Sequence, residues 1–421
     1  MIQRLLRGAL PIIANTALGS ALGFVFWVVA ARVMPPVEVG LGSAYVAAAL
    51  TVAAATECGL GTLVLRFVPS LAADEGRRLV EEALGMLGTA TLLGALVFAL
   101  GTPLWAPELG GLAADPWKLG AFLLATTLGG VGVLLDRLFV ASGRPRYVLL
   151  RNLPMAVLRL GGITVLGWMG AWGLLGSFLL GALGGCLLGW WGLLPRALGY
   201  LPRPAVGWRQ VRARLGYTLG SHAAQLAWNA PALLYPLIIV RLLGPEANAR
   251  FYIAWMVANL LLIVPNGVFL VALTEPSGES LLRLVAIICL LLLPGVGALW
   301  LGAPLVLRVF GPGYREAAGI LSLLAGSALP YTVTSALITH HRLRLRTGKQ
   351  VRDALLVVGA ALSLSTILGK EWGLAGVGWG WLLAHLGGSL LALPMLREVM
   401  ADENYAQAAV DGLAQPGDHR A

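Results

Sequence analysis

Two long apolar runs lie next to each other between Leu215 and Ser277, separated by a short break that reads RLLGPEANAR over positions 241–250. Each run has the ~20 residues that an α-helix needs to cross a bilayer at a rise of 1.5 Å per residue. A soluble domain is about one-quarter charged, whereas only 12% of these 421 residues are Asp, Glu, Lys or Arg. The sequence therefore predicts an all-α polytopic membrane protein.

Apolar runs of similar length recur along the chain, with ends defined to within a few residues. We predict about twelve transmembrane helices, at 9–33, 39–66, 83–105, 118–141, 147–168, 173–195, 216–241, 248–274, 281–302, 317–340, 352–369 and 374–396. A membrane β-barrel would instead show short segments in which apolar and polar residues alternate. Continuous apolar runs exclude that class.

Basic residues cluster in alternate loops of this arrangement. With the N-terminus in the cytoplasm, the clusters at 77–78, 144–151, 196–214 and 342–352 all lie on the cytoplasmic side, and the external connections hold only scattered basic residues. Short cytoplasmic loops are enriched in Lys and Arg. The bias predicts a multi-pass protein of the cytoplasmic membrane with both termini in the cytoplasm, including a polar tail at 401–421.

The chain also repeats itself. Arg32 and Pro36 follow the first span as Arg241 and Pro245 follow the seventh, at a constant offset. A Trp-Gly-Leu sequence opens both the sixth span, at 172–174, and the twelfth span, at 372–374. These landmarks predict two pseudo-symmetric six-helix halves, 1–214 with a basic cytoplasmic linker and 215–400. Halves with the same orientation are related by an axis along the membrane normal, with a site between them.

Three stretches resemble the oligosaccharide flippase family of the MOP exporter superfamily. They are 30–67, with Arg32, Pro36 and Gly-Leu-Gly at 59–61; 229–255, with Asn-Ala-Pro at 229–231 and Gly-Pro-Glu at 244–246; and 310–317, which reads FGPGYREA. The resemblance implies a MOP- or MATE-like fold that moves polyprenyl-diphosphate-linked oligosaccharide from the inner to the outer leaflet for cell-surface polysaccharide synthesis. Alternating access is the expected mechanism. The superfamily also contains multidrug exporters and the lipid II flippase.

The expected partners are membrane lipids and the lipid-linked glycan. A polysaccharide polymerase or glycosyltransferases are open as protein partners, and no nucleic acid is expected. The pattern predicts no cofactor and leaves coupling to H+ or Na+ open.

A diphosphate headgroup needs a polar and preferably cationic path, because ionisable residues inside a bilayer face cavities or partners. Arg159 lies ~12 Å along the fifth span from Arg151, and Asn152 lies on the same helical face as Arg159. Arg159 is thus the main candidate, with a structural ion pair or a cytoplasm-facing side chain as the alternative. Glu57 is a candidate counter-ion for Arg159 or Arg66, a candidate proton or cation site, or a helix-end carboxylate in headgroup water. Arg66 is a candidate phosphate ligand or an interfacial arginine.

Polar side chains follow one face of the seventh span at His222, Gln225 and Asn229, and one face of the eighth at Asn259 and Asn266. Such amide and imidazole groups suit sugar hydroxyls, although hydrogen bonding between helices is equally common in membranes. In the seventh span, Pro231 and Pro236 are gating candidates because proline kinks a helix.

The remaining candidates are charged or aromatic. At the outer ends of spans one and seven, Arg32 and Arg241 either attract the diphosphate or anchor lipid headgroups. Asp136 and Arg137 are expected to form a local pair. Tryptophans including Trp27 either stack on sugar rings or pack between helices.

No sequence for nucleotide hydrolysis or acyl transfer stands out: the chain contains neither a Gly-Lys-Ser/Thr phosphate loop nor a Gly-x-Ser-x-Gly elbow. We therefore expect no enzyme. The alternatives to a flippase are a MATE-like multidrug or small-molecule antiporter, a membrane-embedded enzyme acting on lipid-linked sugars, and a scaffold that does not transport.

Overall fold

The computed structural model of the protein describes residues 2–274, 281–395 and 398–399, with side chains from Leu18 onward except at 217, 221 and 274. Within these ranges the chain is built from α-helices joined by short turns. The helices are α1 (Ile2–Val33), α2 (Pro36–Glu57), α3 (Leu60–Phe67), α4 (Ala73–Trp105), α5 (Gly111–Ala114), α6 (Pro116–Ala141), α7 (Arg146–Leu166), α8 (Ala171–Leu187), α9 (Leu194–Leu198), α10 (Arg209–Leu243), α11 (Pro245–Thr274), α12 (Leu281–Arg308), α13 (Ala318–Gly326), α14 (Ala328–Leu343) and α15 (Thr347–Leu391).

By length and composition, ten helical segments of the described chain can cross a membrane. Two shorter apolar helices, Leu18–Val33 and Leu60–Ser70, accompany them. The predicted spans 352–369 and 374–396 fall in one of the ten, Thr347–Met395, because the helix continues through a bend at Gly373. The all-α, multi-pass membrane architecture is confirmed, while the count of twelve is not reached by these criteria.

A glycine with positive φ precedes the sixth predicted span of each half. Gly170 has φ 63° and ψ −138°, and Gly373 has φ 59° and ψ −141°, a conformation that L side chains rarely adopt. Three residues later, Gly173 lies against the carbonyl of Leu166, as Gly376 lies against that of Leu368. The backbone conformation therefore makes 170–173 equivalent to 373–376. The offset between these equivalent positions is three residues larger than the offset between the two Trp-Gly-Leu sequences.

The described helices form two compact units. One comprises Met1–Ile253 and Pro304–Ala317, and the other comprises Ala254–Ala303 and Ala318–Ala421. The chain passes from one to the other inside α11 and α12. This division by packing differs from the predicted halves 1–214 and 215–400, which stay a prediction. The predicted tail at 401–421 lies outside the described residues.

In the first unit, α7 and α8 pack closely through glycines. A methyl group at Gly181 would lie 2.7 Å from the Met155 carbonyl oxygen, and one at Gly162 would lie 3.0 Å from the Ser177 Cα. Small residues let membrane helices approach backbone to backbone. This close approach brings the side chain of Arg159 on α7 against α8.

Candidate functional site

Arg159 borders a cavity of about 160 Å³ inside the first unit. Its guanidinium carbon lies 3.9 Å from the ring centre of Phe178 on α8. The cavity wall is otherwise mostly apolar and comes from α2, α6 and α8; it includes Val46, Ala49, Leu50, Ala53, Ala125, Thr126, Gly129, Leu175 and Ala182. The predicted cavity position of Arg159 therefore agrees with the geometry, while its part in transport stays a prediction.

Arg159 forms no ion pair or hydrogen bond with another described residue, and its Nε is buried without an acceptor. Glu57, expected as a counter-ion for Arg159 or Arg66, therefore does not pair with Arg159. The Arg159 guanidinium lies over the π face of Phe178, and a cation over an aromatic ring gains about 0.5–2 kcal/mol. That contact accepts none of the conventional hydrogen bonds that the guanidinium can donate, and binding of an anionic or oxygen-rich ligand there stays a prediction.

Aromatic side chains surround this arginine on the side of α1 and α11. Phe178 packs edge-on against Phe26, with ring centres 5.3 Å apart, and lies 6.3 Å from Trp27. Trp27 in turn lies 4.4 Å from Tyr252. Only 5% of Trp27 is exposed, so in this structure Trp27 packs between helices.

A second arginine of α7, Arg151, is buried and fully paired. Its Nε and Nη2 donate to the two carboxylate oxygens of Asp136 on α6, each at 2.8 Å. Asn152 Nδ2 donates to the same carboxylate at 3.2 Å. Asp136 thus pairs across helices with Arg151, and the expected local pair with Arg137 is wrong. Asn152 belongs to this cluster instead of the wall around Arg159.

Glu57 lies where the second predicted span breaks. Cys58 and Gly59 both have positive φ, 50° and 80°, so the helix cannot continue through them. The carboxylate of Glu57 accepts hydrogen bonds from the amides of Gly59 and Gly61 and caps the start of α3. The same carboxylate lies 2.8 Å from Nδ1 of His222 on α10. Within the described residues, the buried Nε2 of His222 has no partner.

Two other candidates of α10, Gln225 and Asn229, are exposed. Gln225 and Asn229 form no hydrogen bond with another described residue, so His222 is the member of the stripe with a partner. The gating candidates Pro231 and Pro236 both lie inside the helix. Gating and sugar contact stay predictions for all of them.

Arg66 and the two asparagines of α11 have other surroundings. Arg66 is exposed, with its guanidinium carbon 6.0 Å from the ring of Phe67. In the second unit, Asn259 donates to the carbonyl of Trp255 on its own helix at 2.8 Å. The side-chain oxygen of Asn266 accepts from the hydroxyl of Tyr331 at 3.1 Å. Both asparagines thus form hydrogen bonds within or between helices, and such bonding was the alternative to sugar binding.

The outer-end arginine of α1 has backbone partners. Arg32 Nε donates to the carbonyl of Val309 at 2.8 Å, and its Nη2 donates to the carbonyl of Arg308 at 3.0 Å. Both acceptors lie at the carboxyl end of α12, so Arg32 caps that helix.

The outer-end arginine of α10, Arg241, caps the carboxyl end of α4. Arg241 Nη1 donates to the carbonyl of Trp105 at 2.7 Å and to that of Leu104 at 3.3 Å. These are the last residues of α4. Attraction of a diphosphate by either arginine stays a prediction.

The sequence analysis missed a polar cluster in the second unit that is buried at His341 and Asp353 and more exposed at Arg346 and Glu398. His341 Nε2 lies 2.9 Å from Asp353, and Arg346 donates to Glu398 at 2.8 Å, while His340 lies 3.3 Å from Glu398. The hydrogen bond from Arg346 holds the pKa of the Glu398 carboxyl below its usual range. The density of basic residues at 340–352 signals such a cluster, but only the fold supplies its carboxylates.

Solved structures of similar fold include MATE transporters and a lipid II flippase. An inward-facing multidrug resistance MATE family transporter of the MOP superfamily is 13% identical, covers 94% of this chain and 99% of its own, and has a TM-score of 0.67. The lipid II flippase MurJ in an inward closed conformation is 14% identical over 92% of this chain and 87% of its own, with a TM-score of 0.74. At these identities the likeness shows the fold alone.

A search of curated protein sequences finds no match. A family model described as "Polysaccharide biosynthesis protein" matches residues 5–275, which is more than half of the chain. The arginine cavity and the helical architecture described above therefore lie in a chain that belongs to the polysaccharide biosynthesis protein family.

Proposed function

We propose that this protein is a flippase that moves a polyprenyl-diphosphate-linked oligosaccharide from the inner to the outer leaflet of the cytoplasmic membrane by alternating access. The observation that carries the proposal is Arg159, a cation beside a cavity with no carboxylate partner among the described residues. Its family and its likeness to a protein named as a lipid II flippase support the same reading.

The charge of the site selects the substrate class. An unpaired cation in apolar surroundings is expensive, and an incoming anion relieves that cost. Guanidinium holds phosphate oxygens through two parallel hydrogen bonds and stays charged at any physiological pH. A cationic drug would meet repulsion at the same place. The cavity therefore favours a phosphate-bearing headgroup.

The size of the cavity limits what it receives. Sites for drug-sized ligands measure about 300–1,000 Å³, and this cavity measures about 160 Å³. It has room for a phosphate group or a small part of a headgroup, and an oligosaccharide does not fit inside it. In our proposal Arg159 contacts the diphosphate while the sugars lie elsewhere on the path.

The test is transport by variants of Arg159. We expect Arg159→Ala to lower the rate of lipid-linked glycan movement in liposomes by about 10- to 100-fold, because a charged hydrogen bond contributes about 1.5–3 kcal/mol. Arg159→Lys keeps the charge and loses the two-pronged geometry, so it should retain an intermediate rate. Arg315→Ala is the matched control, since Arg315 is exposed in the turn before α13.

Cells lacking the protein give a second readout. Wild-type protein should restore surface polysaccharide, and Arg159→Ala at equal membrane abundance should not. Full activity of Arg159→Ala in both assays would remove the cavity from the transport path.

A MATE-like multidrug or small-molecule antiporter is the second candidate, favoured by the likeness to MATE transporters and by the acid–imidazole pair of Glu57 and His222. Such a protein should transport organic cations in exchange for H+ or Na+ and should depend on Glu57. Export of a cationic dye by liposomes that move no lipid-linked glycan would establish it.

A further inference from the structure

Two arginines of the first unit make equivalent contacts in a reciprocal pattern. Arg32 lies in the last turn of the first span, and Arg241 lies in the last turn of the seventh, its counterpart in the predicted repeat. Arg32 caps the carboxyl end of α12, the third span of the second half, and Arg241 caps the carboxyl end of α4, the third span of the first half. Each predicted half therefore caps a helix of the other.

Shortly after each of these arginines in the chain, the next helix begins, and the starts of these two helices, α2 and α11, meet backbone to backbone. Gly40 lies so close to the carbonyl of Pro245 that a methyl group there would overlap it. The buried amide of Asn248 donates to the carbonyl of Gly40 at 2.8 Å and to the hydroxyl of Ser43 at 3.1 Å. Both Ser43 and Asn248 have 0% exposure, so solvent does not reach this contact.

The hydrogen bonds from Arg32 and Arg241 to helix-end carbonyls are favourable, and breaking them costs little free energy. The last carbonyls of a helix lack intrahelical donors and carry the negative end of the helix dipole. A cation there contributes about 0.3–1 kcal/mol when it is exposed, and both Arg32 and Arg241 are exposed. Water can replace an exposed arginine at these carbonyls, so the bonds can exchange without stranding a buried group.

We propose that Arg32 and Arg241 are a symmetric pair of latches that keep the predicted outer side of the protein closed, and that both release when this side opens. The positive-inside bias assigns the ends of α1, α4, α10 and α12 to that side. The inference rests on the proposed alternating-access function, because latches of this kind have a purpose only if the closed side must open.

The test measures access from each side of the membrane without any glycan. Ser43→Cys, in a protein whose Cys58, Cys186 and Cys289 are replaced by Ala, reports the outer side through an impermeant maleimide added to intact cells. We expect Arg32→Gln and Arg241→Gln each to raise its labelling rate about twofold to fivefold, the range that cations at helix ends give. The double variant should approach the product of the two.

A second labelled cysteine distinguishes opening of the outer side from general destabilisation of the fold. Native Cys58, with the other two cysteines replaced by Ala, is labelled from the cytoplasmic side in inverted vesicles. Release of the latches should raise outer labelling and lower labelling of Cys58, since alternating access couples the two sides. A rise on both sides would show that the arginines only stabilise the fold and would overturn the proposal.

Arg308→Gln and Arg315→Gln are matched controls, because each removes one exposed charge from the same end and neither removes a cap. They should leave both rates unchanged, and an equal rise with Arg308→Gln would also overturn the latch. Failure of the flippase assay leaves these labelling results intact, so the two proposals can fail separately.

Discussion

At the scale of single residues, two arginines on one helix differ because of what faces them. Arg151 meets the carboxylate of Asp136 in two hydrogen bonds, whereas Arg159, two turns further along α7, meets the ring of Phe178 and a cavity. Removing one member of a buried pair is costly because the other charge is then left without compensation. Arg151 is therefore structural in this arrangement, and Arg159 is the arginine that our proposal assigns to the substrate.

Asp136→Ala should destabilise the protein by about 2–3 kcal/mol, somewhat below the usual range for a buried pair because the side chain of Asp136 is 24% exposed. Thermal unfolding in detergent is the measurement. Asp136→Leu combined with Arg151→Met should recover most of the loss, since an apolar pair leaves no buried charge. Glu371→Ala removes an exposed carboxylate and is the control. Equal unfolding temperatures for Asp136→Ala and the control would contradict the assignment.

At the scale of helices, the site depends on how closely α7 and α8 approach. Glycines at the contact let the two backbones meet, and the approach sets the distance between Arg159 and Phe178. Not every glycine in the pair has this role. Gly161 on α7 is exposed and has no atom of another residue within reach of an added methyl group.

Gly181→Ala should destabilise the α7–α8 pair, because the added methyl group would lie 2.7 Å from the Met155 carbonyl oxygen and 3.2 Å from the Arg159 Cβ. Overpacking of this kind typically costs about 1–3 kcal/mol. Gly161→Ala should instead stabilise by about 0.5–1 kcal/mol, since alanine loses less backbone entropy in a helix. The unfolding temperatures of the two variants should move in opposite directions. A loss of stability in both would show that helix contact is not the cause.

At the scale of the whole molecule, orientation in the membrane follows from charge placement and can be tested at two exposed positions. Val206, in the basic linker before α10, is fully exposed, and Trp168, in the connection between α7 and α8, is 84% exposed. The positive-inside bias assigns these positions to opposite sides.

Val206→Cys should react with an impermeant maleimide only in inverted vesicles, and Trp168→Cys should react only in intact cells, both in the protein without its native cysteines. A detergent-permeabilised sample, in which both must react, is the control. Labelling of both positions from one side would refute the predicted topology.

The sequence by itself determined the membrane class, the positions of the apolar helices and a repeat. Those features are local: twenty apolar residues favour a membrane helix whatever its neighbours are, and a proline or glycine changes the backbone where it stands. Sequence also marked Arg159, because an arginine is rare at that depth in a span. The break of the second span at Cys58 and Gly59 was missed, since apolar residues continue on both sides of it.

Only the tertiary structure decided what each polar group contacts. Periodicity placed His222, Gln225 and Asn229 on one face, yet only His222 reaches the carboxylate of Glu57. The outer arginines were expected to face phosphate or lipid, and they cap helices more than a hundred residues away in the chain. Which group a polar side chain contacts depends on how helices distant in sequence rotate and cross. Packing between helices sets that geometry, and the sequence of a single span does not encode it.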